Sequence, residues 1–223
     1  ITLKVSNLVD AYGNKIADEN EPTNGHKVFF DKILPTIKVH DNAVGNAPYF
    51  RDNIGFTVSD NYEIASCKLN DAVIETNNGE INFEAIKDML KVDEEKNILV
   101  VTDKAGNSTI YDFWYDYKAP KASFVQIKSN NKLNTSYAKS GDYVWVYVKI
   151  KDELSVEPKI KINGIEVDTF KNGPANENGT MYAGKLEMTN EMKNGNVEFT
   201  VYGYADLAGN VGKTWTNETT NNT

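Results

Sequence analysis

A five-residue motif that occurs three times constrains this chain more than any other feature of its sequence. The motif has the form Asp-x-(Ala/Tyr)-Gly-Asn, and its copies occupy residues 10–14, 103–107 and 206–210. The copies begin 93 and 103 residues apart, and each follows an alternating or apolar run. A run with a period of two residues that ends in a Gly-Asn turn is typical of a strand entering a hairpin. The sequence therefore predicts a chain of repeated β units.

Two further pairs of residues repeat at nearly the same period. Asp31 and Asp116 each follow an aromatic residue, each precede a proline by four positions, and lie 85 residues apart. Asp60 and Asp152 end alternating runs and lie 92 residues apart. Because the motif and these two pairs repeat at nearly the same period, we interpret the chain as two complete repeats preceded by the end of a third.

The prolines that follow Asp31 and Asp116, Pro35 and Pro120, predict the unit boundaries, since proline cannot donate to a strand ladder and stiffens an extended linker. Residues 1–34 are predicted to be the C-terminal hairpin of a preceding immunoglobulin-like or S-layer-like unit. Residues 35–119 and 120–223 are predicted to be complete units, the second with a short linker-like tail from Asn217. The chain begins at Ile1 with no signal peptide in view, so we expect it to be a piece of a longer protein.

The predicted fold class is all-β, as tandem immunoglobulin-like β-sandwich domains. About seven short strands per roughly 100 residues, with turn residues between them, is the pattern of such a sandwich. One short helix is predicted over residues 82–90, where apolar residues recur at helical spacing and Asn82 is a suitable cap. Cys67 is the only cysteine, so no intrachain disulfide is possible.

Composition argues against several classes of function. The net charge of −8 and the sequence pI near 4.9 argue against a nucleic-acid partner, whose binding depends on neutralising phosphates. No apolar run approaches the roughly 20 residues that span a bilayer, so no membrane insertion is expected in this segment. The sequence contains no Gly-x-Ser-x-Gly, His-Glu-x-x-His, Walker or Gly-x-Gly-x-x-Gly motif, and we expect a protein that is not an enzyme.

The sequence resembles the bacterial immunoglobulin-like (Big-type) domains that occur in tandem along Gram-positive surface proteins. The resemblance is carried by residues 101–107 before a last strand, by residues 115–120 at the joint, and by residues 148–152 and 160–164. The first motif copy, at residues 10–14, is similar to the related S-layer type. The resemblance implies an extracellular module of the bacterial cell surface or cell wall, and it implies no particular ligand.

The repeated motif has a structural and a functional interpretation. In the structural one, glycine supplies a positive φ angle and the aspartate accepts backbone N–H groups across the turn. In the functional one, the fold brings Asp60 near Asp103, and Asp152 near Asp206, at one pole of each unit. Two carboxylates with nearby carbonyls could then hold Ca²⁺, which takes 6–8 oxygen ligands, and would stiffen the joint.

An aromatic row gives a second candidate site. Tyr143, Trp145 and Tyr147 alternate with valines that continue to Ile150, so the valines are predicted to face the core and the aromatic rings to face outward. Such a row could stack on sugar rings, or it could simply pack across strands. The aromatic run at residues 113–117 is predicted to pack between units.

The predicted function is a non-catalytic extracellular repeat segment, acting as a spacer, stalk or adhesion module. Its partners would be the neighbouring domains of the same chain. Two alternatives remain: a module that binds a glycan or a host surface protein through the aromatic row, and accessory domains of an exported protease or glycosidase.

Overall fold

The computed structural model describes residues 6–15, 28–93, 95–176 and 178–220. The strand predicted over the first five residues, and most of the predicted N-terminal hairpin, lie outside this range. Within it, residues 6–15 contain the first turn and an isolated bridge between Val9 and Lys15.

The elements before residue 120 are strands with one short helical segment. They are β1 (Thr36–Val39), β2 (Val44–Asn46), β3 (Tyr49–Asp52), β4 (Phe56–Ser59), β5 (Ile64–Leu69), β6 (Ala72–Ile74), β7 (Glu80–Ile81), α1 (Phe83–Ile86), a 3₁₀ turn (Lys87–Met89), β8 (Lys96–Asp103) and β9 (Ser108–Tyr115).

The elements after residue 120 are again almost entirely strands. They are β10 (Ala122–Ser129), β11 (Tyr143–Ile150), β12 (Leu154–Val156), β13 (Lys159–Ile162), β14 (Ile165–Val167), β15 (Phe170–Lys171), β16 (Thr180–Glu187), β17 (Phe199–Tyr202), β18 (Ala205–Asp206), β19 (Trp215–Thr216) and α2 (Asn217–Thr220). The chain is mostly β, which confirms the all-β prediction.

The strands form separate sheets before and after residue 120. The first part has a three-stranded sheet in the order β1-β4-β7 and a six-stranded sheet in the order β2-β3-β9-β8-β5-β6. The second part has two four-stranded sheets, β10-β11-β16-β15 and β14-β13-β17-β19, and the pair β12-β18. The pairs are antiparallel except that β3 runs parallel to β9.

Each part of the chain has its own hydrophobic core, to which both of its larger sheets contribute. The alternation along β8 and β11 turns every second side chain inward, and it places Leu99 and Val101 of β8 and the four buried residues of β11 in these cores. The first core is formed by Phe50, Ile54, Phe56, Val58, Cys67, Leu69, Ile74, Ile81, Ile86, Leu90, Leu99, Val101 and Phe113. The second is formed by Val144, Val146, Val148, Ile150, Ile160, Ile162, Tyr182, Phe199, Val201 and Tyr204.

The predicted helix and one predicted strand differ from the structure. The helix is a single α-helical turn followed by a 3₁₀ turn, and Asn82 makes no side-chain capping hydrogen bond. For residues 211–216 the sequence predicts a strand, and only Trp215–Thr216 form one. Gly212 lies so close to the Tyr204 ring that a Cβ atom there would overlap it.

The segment from Asn217, predicted as a linker, instead forms α2. The Asn217 side chain donates to the Val197 carbonyl at 3.0 Å and accepts from the Phe199 N–H at 2.8 Å. The start of the tail is therefore attached to the second part of the chain.

Candidate functional site: the turns and joints

The three copies of the repeated motif form the same turn. In residues 10–14, 103–107 and 206–210, the N–H of the fifth residue donates to Oδ1 of the first aspartate at 2.9, 2.8 and 2.9 Å. The asparagine side chain donates to Oδ2 of that aspartate at 2.8, 2.7 and 3.0 Å. The glycine has φ angles of +86°, +95° and +83°, which a residue with a Cβ atom rarely adopts. These contacts are those that the structural interpretation of the motif predicts.

The surroundings of the three turns differ. Asp103 is 1% exposed and Asp206 is 4% exposed, whereas Asp10 is exposed. Burial alone would raise the pKa of Asp103, but the hydrogen bonds from Asn107 and neighbouring N–H groups outweigh it and lower the pKa. The pKa of Asp10 is lowered mainly by its hydrogen bonds with Asn14. Both carboxyl groups are therefore held in the ionised form that accepts these bonds.

Two joints connect to the second and third turns in the same way. We define the first joint as residues 31–35 and the second as residues 116–120. Oδ1 of Asp31 and of Asp116 accepts the N–H two residues further on, at 3.0 and 2.8 Å. The carbonyl of Asp31 accepts from the Asn107 side chain at 3.4 Å, and that of Asp116 from the Asn210 side chain at 2.7 Å. The motif asparagine therefore joins each turn to the segment that enters the same part of the chain.

Three carboxylates converge at the first joint. Asp31, Asp60 and Asp103 each offer an oxygen, and these oxygens lie within 4.8 Å of one another. Asp60 and Asp103 are the pair that the sequence predicts to be close, and the structure brings them together. Asp31 was missed as a member of this site, although its spacing of 85 residues from Asp116 had marked it as part of a joint.

The carboxylates at the first joint retain unused acceptor capacity. Oδ2 of Asp60 accepts the Tyr62 N–H at 2.9 Å, while its buried Oδ1 has no hydrogen-bond partner among the described residues. Asp31 accepts from the Asn61 side chain at 3.2 Å. The loop after β4 is held beside the second turn by the Lys104 N–H, which donates to the Glu63 carbonyl at 3.0 Å. Converging carboxylate oxygens on short, fixed loops suit a hard cation such as Ca²⁺.

The corresponding aspartates at the second joint are arranged differently. Asp152 accepts the Lys121 N–H at 3.0 Å, and Asp206 is bonded within its own turn. Burial raises the pKa of Asp116, and the charges of Asp206, Asp93 and Asp152 raise it further. Among the described residues, the group at the first joint is the one in which three such oxygens meet this closely.

The aromatic row lies where the sequence predicts it. Tyr143, Trp145 and Tyr147 are partly exposed on β11, and the intervening valines are buried. The rings of Trp145 and Tyr147 are stacked with centroids 5.9 Å apart and planes 9° apart. The Lys128 ammonium lies 4.9 Å from the Tyr147 ring, and that of Lys185 lies 5.0 and 5.2 Å from the other two. Since the ring faces already have partners, this geometry favours cross-strand packing over a platform for sugars.

The aromatic run before the second joint packs mainly within the first part of the chain. Phe113 is fully buried in the first core, and Tyr115 packs against that core. Trp114 stacks on Tyr49 with centroids 5.1 Å apart. The prediction that this run packs between units is therefore wrong for these three residues. Tyr117, in contrast, lines a cleft together with residues that follow the joint.

No family model matches the chain, and no curated protein matches it. In the part of the chain that the structure describes, there is no helix with the length and apolar character needed to cross a membrane.

Proposed function

We propose that this chain is a non-catalytic repeat segment of tandem immunoglobulin-like units that serves as a spacer, stalk or adhesion module of a bacterial surface protein. The observation that carries the proposal is the repeated joint. The contact between Asp31 and Asn107 recurs, at a different place in the chain, between Asp116 and Asn210. A chain that enters each unit through the same contact is suited to placing units one after another.

The immunoglobulin-like assignment is supported by the layout of each part. Mostly antiparallel strands form two larger sheets that contribute to one core, as in immunoglobulin-like sandwiches. The absence of a disulfide is compatible with this assignment, because Cys67 is buried and free while both cores are well supplied with Val, Ile and Phe.

Small-angle X-ray scattering of the whole chain tests the spacer function. A compact chain of 223 residues would have a radius of gyration of about 17 Å. We expect a clearly larger value and a distance distribution with a shoulder from the separation between units. A value near that of one compact body would contradict the proposal.

A second proposal concerns cation binding at the first joint. We propose that Asp31, Asp60 and Asp103 bind Ca²⁺ together with nearby carbonyl oxygens. The observation that favours it is the convergence of three carboxylates, together with the unpartnered, buried Oδ1 of Asp60. A divalent cation there would offset the repulsion between the carboxylates and tie the joint to two loops of the unit that follows it.

Thermal unfolding with and without calcium tests this site. Calcium at about 100 times its dissociation constant should stabilise the protein by about 2.7 kcal/mol relative to EDTA, and Asp60→Asn should remove most of this gain. Asp168→Asn, at an exposed position outside both joints, is the matched control and should retain the gain. Asp152→Asn shows whether the second joint responds as well.

Equal melting temperatures in EDTA and in millimolar calcium would contradict the calcium site. That result would leave the spacer proposal standing, because the spacer proposal is tested by the radius of gyration and does not require bound calcium. An equal gain with magnesium would replace calcium selectivity with a general response to divalent charge.

A further inference from the structure

The β2–β3 hairpin, residues 44–52, lies at the end of the first part of the chain beside the second joint. The Pro48 carbonyl accepts the Trp114 N–H at 3.0 Å, and the Phe50 carbonyl accepts the Asp116 N–H at 2.8 Å. The hairpin is therefore fixed to β9 and to the first residue of the joint.

Two side chains of this hairpin reach across the joint to the third turn. Nη1 of Arg51 donates to the Gly209 carbonyl at 2.8 Å, and Nδ2 of Asn46 donates to the Leu207 carbonyl at 3.2 Å. Arg51 is the only arginine of the sequence, and its contact is partly buried. In the opposite direction, the Asn210 side chain donates to the Asp116 carbonyl.

We propose that residues 44–52 are a clamp that fixes the second part of the chain to the first, with Arg51 as the positioning residue. A five-residue connection alone would leave many backbone rotations open between the two parts. Three hydrogen bonds from separate points restrict those rotations, and the one from Arg51 is strengthened by the charge of the guanidinium group.

The consequence goes beyond the spacer function, because the clamp sets the direction in which the second part leaves the first. The clamp consists of side chains and needs no bound cation. It lies at the second joint, where Asp116, Asp152 and Asp206 do not converge as their counterparts do at the first joint. The second joint should therefore hold its orientation in EDTA, whatever calcium does at the first joint.

Pulsed electron–electron double resonance, which measures the distance between two spin labels, tests the clamp. Ile110→Cys on β9 and Ile165→Cys on β14 place labels on exposed strand positions, while Cys67 is 2% exposed and should stay unlabelled. With the chain in EDTA, we expect a narrow distance distribution in the doubly labelled protein. Arg51→Met, which keeps the aliphatic bulk but removes the donors, should at least double the width of the distribution.

Lys104→Ala is the matched control, since it removes an exposed cation from the second turn and should leave the distribution narrow. Arg51→Lys should give an intermediate width. Should Arg51→Met fail to fold, Asn46→Ala at an exposed position provides an independent measurement and should broaden the distribution to a smaller extent.

A broad distribution in the unaltered chain, or one that stays narrow when Arg51→Met and Asn46→Ala are combined, would overturn the clamp. This outcome differs from failure of the spacer function. A narrow distribution with a compact radius of gyration would retain the clamp and remove the spacer. A broad distribution in an extended particle would do the reverse.

Discussion

The two joints start from aspartates at corresponding places in the sequence and use them differently. At the first joint, Asp31, Asp60 and Asp103 bring oxygens within 4.8 Å of one another. At the second joint, Asp152 is occupied by a backbone N–H and Asp116 carries a raised pKa. The backbone contact is therefore repeated between the joints, while the electrostatic arrangement is not.

The difference shows which part of the repeat is local and which depends on context. The turn is completed by hydrogen bonds among its own five residues, so it forms even in the exposed copy at residues 10–14. The cluster of charges depends on loops from elsewhere in the unit. The cations near the second joint include Lys118, which pairs with Asp93, and Arg51, which contacts the third turn.

The largest effect that separates the turns is expected from removing the buried carboxylate of the third turn. Asp206→Ala removes the buried carboxylate that accepts the Asn210 N–H and one of the two bonds of the Asn210 side-chain amide. It should lower the free energy of unfolding by about 1–3 kcal/mol. Asp10→Ala removes the same hydrogen bonds from an exposed turn, where water replaces them, and should leave the urea midpoint unchanged.

Urea unfolding followed by tryptophan fluorescence measures this contrast, with Asp168→Ala as the control for losing an exposed carboxylate. An equal loss of stability in Asp10→Ala and Asp206→Ala would mean that the turn matters through its own geometry alone. The distinction between the buried and the exposed copies would then be wrong.

Much of the fold could be predicted because the strongest strands carry their own signal. The alternation of valine with larger residues along β11 fixes which face is buried. The last strand expected after the turn at residues 103–107 is present as β9, Ser108–Tyr115. In both strands the pattern is long enough to outweigh neighbouring turn residues.

The β2–β3 hairpin could not be predicted, because contacts with distant strands define it. The pair β2 and β3 contains a glycine and is interrupted by Pro48, and β3 exists through its parallel pairing with β9. The clamp residue Arg51 lies in this stretch, and nothing in its local sequence indicates a contact with Gly209, 158 positions away. The one feature of the sequence that singles out this residue is that the chain has a single arginine.

Only two of the three aspartates of the candidate cation site could be predicted. The fold-based expectation that two loops meet at one pole placed Asp60 beside Asp103. Asp31 comes from the joint, far from both loops in sequence, and the Asn107 side chain donates to its carbonyl. The sequence marked the repeat of this aspartate but gave no sign that its side chain turns toward the other two.

The smallest expected effect concerns the charge of Asp116 at the second joint. Because its pKa is raised by burial and by neighbouring carboxylates, the folded protein holds this proton more tightly than the unfolded chain does. The protonated Asp116 carboxyl therefore contributes stability to the folded protein. This stability is fully present below the pKa of the unfolded chain, about 3.9, and is lost as the pH rises through the raised pKa of the folded protein. Asp116→Asn cannot ionise, and its Oδ1 can still accept the Lys118 N–H.

The variant should therefore melt at a higher temperature than the unaltered protein at pH 7 in EDTA, and the difference should shrink toward zero near pH 3.5. Thermal unfolding at several pH values measures the trend, with Asp168→Asn expected to show no such convergence. A variant that is less stable at pH 7, or a difference independent of pH, would mean that repulsion at the second joint is already neutralised. Arg51 is then the first residue to examine, because its guanidinium is the cation bound to the adjacent turn.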